Sequence, residues 1–146
     1  MVAVYIGPAL LLVRSSYRIG WHLPGGGVRR GEMTEAAALR ELAEEIGLAA
    51  SALLPAGVIC GIWDGRRDRV HFFELRLVEE PKLQIDNREI IAARLTSPSE
   101  LQSKVLTGPV AAYLGRLPTA RLRPRVGLKR NDAIKQPLEI QAYEIS

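Results

Sequence analysis

The chain has 146 residues, 47% hydrophobic and 25% charged, with 20 Lys or Arg against 16 Asp or Glu for a formal net charge of +4. That length suits one domain able to bury roughly 70% of its unfolded surface, and the composition excludes both wholesale disorder and a membrane protein. Cys60 is the one cysteine, so no internal disulfide can form, which points to a reducing compartment and a cytoplasmic location.

In chain order, the apolar N-terminal stretch MVAVYIGPALLLVRSS breaks at Gly7-Pro8 and lacks a basic leader, so it predicts strand rather than a signal peptide. Ala9 to Val13 is a continuous apolar run of strand length, buried on both faces, and Val2 to Ile6 pairs with it or extends it. No apolar run approaches about 18 residues, which excludes a membrane-spanning helix. Ser15 to Gly20 make a loop, and Trp21-His22-Leu23 leads into Pro24-Gly25-Gly26-Gly27, where the chain must turn sharply.

Thr34 is the expected N-cap of a helix over about Glu35 to Ile46, with Glu35 complementing the dipole in the first turn and Gly47 as the stop. Helical spacing predicts an apolar stripe of Leu39, Leu42, Ala43 and Ile46, with Glu41, Glu44 and Glu45 opposite and Arg40 flanking them. Farther on, Ala56 to Trp63 and Val70 to Val78 predict a hairpin across the polar turn Asp64 to Asp68. In the first of these strands, VICGIW sets Cys60 as a small buried apolar residue with no chemical role. Ile90 to Leu95 is a further strand, Ser97 to Glu100 a turn or short helix, and Gly108 to Leu117 a helix with Val110, Tyr113, Leu114 and Leu117 on one face.

Beyond Pro118 the periodicity fades. A basic extension over about 118–146 is expected, with a terminal strand in Leu138 to Tyr143, and residues 1–146 form a single domain. From Arg116 through Arg121, Arg123, Arg125, Lys129 and Arg130 the chain is basic, with no acid between Leu101 and Asn131. Without interleaved aromatic residues to stack on bases, a solvated tail is the expected role, and nucleic acid remains the alternative partner.

The helix poses an electrostatic problem. Carboxylates at i, i+3 and i+4 repel one another by a few tenths of a kcal/mol per pair, and a helix C-terminus adds a dipole penalty. Only Arg40 compensates nearby, so a bound divalent cation is the economical neutraliser, and all-oxygen ligands favour Mg²⁺ or Mn²⁺ over zinc. The glycines just before the helix expose backbone amides to an anionic ligand. They form neither a Walker loop, because Glu32-Met33 follow Gly31, nor the dinucleotide fingerprint, because Arg30 stands where a third glycine belongs.

This stretch resembles the Nudix box. Gly26, Glu32, Arg40, Glu41, Leu42, Glu44, Glu45, Gly47 and Leu48 meet its constrained positions without an insertion, and Trp21 to Gly25 resembles the usual approach to it. The resemblance implies an α/β/α sandwich around a central mixed β-sheet, and metal-dependent hydrolysis of a nucleoside diphosphate linked to another moiety. By carry-over, Glu41, Glu44 and Glu45 hold Mg²⁺ or Mn²⁺ with Gly26 through its carbonyl, Arg40 orients the catalytic Glu41, and Glu32 supports the loop.

Outside the box the resemblance thins. Glu89 is the first choice for a further acidic ligand or base and Asp86 the second, while Gly25, Gly27, Arg29 and Arg14 are candidates for phosphate binding. Tyr17, Trp63 and Phe72 are available to stack on a base, with burial expected for the last two, and His71 is expected to pack within its strand. The expected substrate is a small nucleotide: a nucleotide sugar, a nucleoside triphosphate or a dinucleoside polyphosphate. RNA 5′-end pyrophosphohydrolysis or a catalytically idle nucleotide-sensing module is the alternative, the idle module disfavoured by the intact box, and an isomerase on the same fold is disfavoured by the short chain and the lack of a well-placed catalytic cysteine. A homodimer is compatible with the resemblance, and no membrane partner is expected.

Overall fold

The computed structural model describes residues 1–118, so the predicted basic extension and the Leu138 to Tyr143 strand lie outside the described residues. Strand β1 (Val2–Ile6) turns through Gly7, at φ 56°, into β2 (Ala9–Ser15), and the two pair antiparallel with Tyr5 opposite Leu10. After a long loop come helix α1 (Thr34–Ile46), β3 (Leu54–Trp63), β4 (Arg66–Leu77), β5 (Ile90–Thr96), the single turn α2 (Pro98–Leu101) and α3 (Gly108–Arg116). The five strands form one sheet in the order β3-β4-β1-β2-β5. Only the β1–β4 pairing is parallel, so the sheet is mixed, as expected.

Alternation along the central strands sends successive side chains to opposite faces. Val2, Val4, Leu11 and Val13 meet Ala38, Leu42 and Ile46 of α1 on one face. Ala3, Tyr5, Leu10 and Leu12 meet Leu101, Val110, Tyr113 and Leu114 from α2 and α3 on the other. The result is the expected α/β/α sandwich. At about 25 cal/mol per Å² of apolar area, each such fully buried aliphatic side chain contributes roughly 1.5–3 kcal/mol before entropy is counted.

Several local expectations are corrected. Helix α1 starts one residue earlier than expected, with Met33 at the N-cap and no side-chain cap bond, so Thr34 is helical rather than the cap. Glu35 instead accepts a hydrogen bond from the Leu53 amide at 2.9 Å, tying the start of the helix to the entry of β3. The stop at Gly47 is as expected, at φ 67°, with its amide bonded to Ala43 and that of Leu48 to Leu42. Ala43 is exposed, whereas Glu45 is buried beside Leu42 and Ile46. The buried stripe is therefore rotated toward one of the carboxylates.

The hairpin turn is tighter than Asp64 to Asp68. It is the pair Asp64-Gly65, both left-handed at φ 52° and 74°, which suits a two-residue turn between twisted strands. Cys60, expected to be buried, is exposed. It sits on β3 at the edge of the sheet, opposite Arg69 of β4. No helix among the described residues is long and apolar enough to cross a membrane.

Candidate active site

Backbone pairing positions the glycine turn. Residues 21–24 run beside β2 and β1, where the Val13 and His22 amides exchange bonds of 2.8 and 2.9 Å and the Val2 amide donates to Pro24 at 2.8 Å. The Trp21 amide donates to Val105 and its carbonyl accepts from Thr107, which locks the other side. Val13 and His22 are buried, so these bonds are shielded from water and the turn leaves the sheet at a defined point.

Each glycine then has its own reason. Gly25 adopts φ 137°, and a Cβ there would fall 2.7 Å from the Met1 Cα. Gly26 lies flat against α1, where a Cβ would fall 2.7 Å from the Glu41 carboxyl carbon. Gly27 has open space, and its carbonyl accepts from Arg40 Nη2 at 3.0 Å. Of the three, only Gly25 needs the conformational freedom of glycine, whereas Gly26 is required by close approach.

Arg40 is the hub. Its Nε donates to Glu32 Oε1 at 2.8 Å and its Nη2 to Glu32 Oε2 at 3.1 Å, a bidentate fork across the loop. Its Nη1 donates to Glu41 Oε1 at 2.7 Å and to Glu44 Oε2 at 3.0 Å. Glu32 also accepts from the Arg29 amide, and these donors, Arg40 first, hold its carboxyl down at about 2. The Arg40 guanidinium is correspondingly pushed further into its charged range by Glu32 and then Glu41. The Arg29 side chain reaches Glu44 at 3.4 Å in the open, a contact worth little in water.

Glu45 differs from its neighbours. Only 5% of it is exposed, and it accepts the Gly25 amide at 2.8 Å. Burial pushes its carboxyl up to about 7; the Gly25 amide opposes that, and the charges of Glu41 and Glu89 add to it. A carboxylate so placed in a cleft with two like charges around it is the kind of group found at functional sites.

The loop before β5 brings Glu89 toward this cluster. Its carbonyl accepts the Ser16 amide at 2.9 Å, and Ser16 Oγ donates to the Arg88 carbonyl. Asp86, the second choice, is committed to structure: its carboxylate accepts the amides of Ile90, Glu89 and Arg88, which hold it below its ordinary range. Among the described residues, no three of His, Cys, Asp or Glu stand together as a ready metal cage, and Arg40 bonds both Glu41 and Glu44.

Of the other residues singled out, Arg14 is exposed and does not reach the box; it lines a cavity of about 570 Å³ with Ser15, Arg18, Trp21 and Lys104. Lys104 lies 5.4 Å from the Trp21 ring centroid, a cation–π contact that holds both at the cavity. Arg18 and Lys104 were not picked out from the sequence, and only the gathering of loops 16–21 and 103–105 shows them as a group. Tyr17 is exposed, Phe72 is buried in a 4.5 Å stack on Tyr113, and Trp63 packs closely under Gly61 and Gly108. His71 is half-buried and lines an apolar groove between α1 and β3.

The same architecture occurs in known proteins. The model of the NUDIX domain matches residues 2–114. An RNA pyrophosphohydrolase of Sphingopyxis alaskensis is 31% identical over 113 residues, covering 65% of this chain and 72% of that protein. The MutT NUDIX hydrolase of Burkholderia pseudomallei superposes with a TM-score of 0.71 at 21% identity, covering 80% of this chain and 94% of the other. The dihydroneopterin triphosphate pyrophosphohydrolase of E. coli superposes with a TM-score of 0.69 at 17% identity, covering 80% and 91%. With its box in place around Arg40 and the domain matched from the first strand to the last helix, the chain belongs to the Nudix hydrolase family.

Proposed function

We propose that this protein hydrolyses a diphosphate linkage in a nucleotide-type substrate with the help of Mg²⁺ or Mn²⁺ held at the box. The observation that carries the reading is the buried Glu45, which accepts the Gly25 amide at 2.8 Å in a cleft shared with the charges of Glu41 and Glu89 and offset in part by the Met1 ammonium. A cation there would offset that crowding, and the donor set is all oxygen, which suits a hard divalent ion. Glu41, Glu44 and Glu45 would hold it, the first two anchored by their bonds to Arg40. A bound cation of this kind neutralises the diphosphate and favours attack of water at phosphorus.

The residues of the chain do the remaining work. Arg40 keeps Glu41 and Glu44 within reach of the cleft and clamps Glu32, so the loop cannot drift. Gly27 leaves the backbone open for a phosphate to approach, whereas the Gly25 amide is held by Glu45. Arg29, whose side chain meets Glu44 at 3.4 Å in the open, would turn to an anionic oxygen, and Glu89 would accept a proton from the attacking water. Turnover by Glu44→Gln and Glu45→Gln variants over a panel of nucleotides with Mg²⁺ tests the reading. A loss of at least ~100-fold is expected for a ligand to the catalytic ion, and wild-type turnover in both would refute it.

A second reading, with the 5′ end of RNA in place of a free nucleotide, has a specific observation in its favour. The cavity beside the loop gathers Arg14, Arg18 and Lys104, suiting a polyanion longer than one nucleotide, and the Sphingopyxis relative is named for RNA. An Arg18→Gln/Lys104→Gln double variant separates the two readings. If RNA is the substrate, the variant lowers kcat/KM on 5′-triphosphorylated RNA about tenfold with a shallower salt dependence and leaves free nucleotides unchanged.

A further inference from the structure

Natural sheets guard their free edges with charged residues, prolines or bulges. Strand β3 has the sequence LPAGVICGIW, ten residues without a charge, and it pairs with β4 alone among the described strands. Its guards, Pro55 and the bulge between Pro55 and Gly57, lie at one end. Arg116 reaches the Val58 carbonyl at 3.5 Å, and from Ile59 to Trp63 no charged residue or proline guards the strand.

The backbone of that stretch faces outward in a defined register. The two-residue turn at Asp64-Gly65 makes Trp63 and Arg66 a mutually hydrogen-bonded pair. Alternation in an antiparallel ladder then turns the amides of Gly61 and Ile59 toward β4, and those of Val58, Cys60 and Ile62 away from it. The Arg116 guanidinium, 3.5 Å from the Val58 carbonyl oxygen, marks that outward direction. Side chains of the same three residues share one face: Val58 is 43% exposed, Ile62 is 68% exposed, and Cys60 between them is exposed as well.

We propose that this edge is a homodimer interface, in which β3 of two copies pairs antiparallel about a two-fold axis through Cys60. The row is its own complement. The axis sets Val58 opposite the partner subunit's Ile62 and Cys60 opposite the partner subunit's Cys60, and it fits an isologous contact in which each copy offers the same patch. Beside Val58 runs an apolar groove of about 600 Å³ lined by Met33, Leu39, Pro55, His71 and Phe73, into which the partner's Ile62 can lower its side chain.

Charge follows the same symmetry. Arg116 stands at Val58, and the two-fold brings the partner's Asp64 to that end, about 7 Å along the strand from the partner's Ile62. A charged partner strand would leave its charges against an uncharged row, whereas a second copy buries apolar against apolar and meets Arg116 with an acid.

The full chain, kept reduced, is run on gel filtration with light scattering, and the expected mass is twice the 16.1 kDa of one chain. Ile62→Lys and Val58→Lys, both at exposed positions, are expected to run at the mass of one chain with unchanged far-UV circular dichroism. A short bismaleimide is expected to cross-link the unsubstituted dimer through Cys60. A single-chain mass for the unsubstituted protein at its highest soluble concentration overturns the proposal, including the case in which residues 119–146 of the same chain cover the edge. So does a dimer that survives both lysine substitutions, or one that Cys60 does not cross-link.

Discussion

Replacing Gly26 by alanine should separate stability from catalysis. The added Cβ would lie 2.7 Å from the Glu41 carboxyl carbon and from Oε1, well inside ordinary contact, which begins at 3.4 Å. Because the obstacle is the end of a side chain and not backbone, the carboxylate can retreat by about 0.7 Å, the difference between those distances, at small cost in folding energy. That retreat pulls Glu41 from Arg40 Nη1, now at 2.7 Å, and moves the group proposed to hold the cation. Since a misplacement of about 1 Å can cost ~100-fold in rate, kcat should fall roughly 10- to 100-fold, or about 1.4–2.7 kcal/mol in barrier. The thermal midpoint should move by no more than a few degrees. Steady-state hydrolysis with Mg²⁺, alongside a thermal melt, reads both quantities. Wild-type kcat in a normally folded Gly26→Ala protein would show that Glu41 needs no fixed place against the loop.

Three further outcomes follow from the same geometry. His22 is buried with no partner for Nε2 among the described residues, and burial lowers its pKa from 6.5, so the folded state favours the neutral ring. Its contribution to stability is therefore fully present above pH 6.5 and is lost as pH falls from there toward the lower folded value; urea titrations of wild type and His22→Gln should diverge in that window. Tyr113 Oη donates to the buried Glu74 at 2.9 Å, and Tyr113→Phe should cost about 1–3 kcal/mol in urea unfolding by removing a donor from a shielded carboxylate. Chelation by EDTA should abolish hydrolysis, with Mg²⁺ or Mn²⁺ restoring it and Ca²⁺ serving poorly, because the larger ion tolerates looser geometry around the reacting phosphate.

Local sequence was enough to determine the helix from its acidic start to Gly47 and the apolar runs of β1 and β2, while it left residues 97–100 as a turn or short helix, because spacing and turn residues act over a few neighbours. It also identified the box, since its function requires fixed residue types at fixed intervals along one loop and helix. What the tertiary structure alone decided is how those residues are solvated and what they face. Glu45 belongs by periodicity with the exposed carboxylates, yet packing α1 on the sheet buries it under the Gly25 amide, while Ala43 is left in solvent. Cys60 has a core-like neighbourhood in sequence but lies on an edge strand, and burial depends on which strand comes next in the sheet. Asp86 and Glu89 look alike as loop acids, and only the fold turns one inward to its own backbone and the other toward Glu45. Arg14 and Arg18 are far from Lys104 along the chain, and the three line one basic cavity when the loops after β2 and α2 meet. Sequence order carries covalent and helical neighbours, whereas burial and electrostatic company are properties of the assembled sandwich.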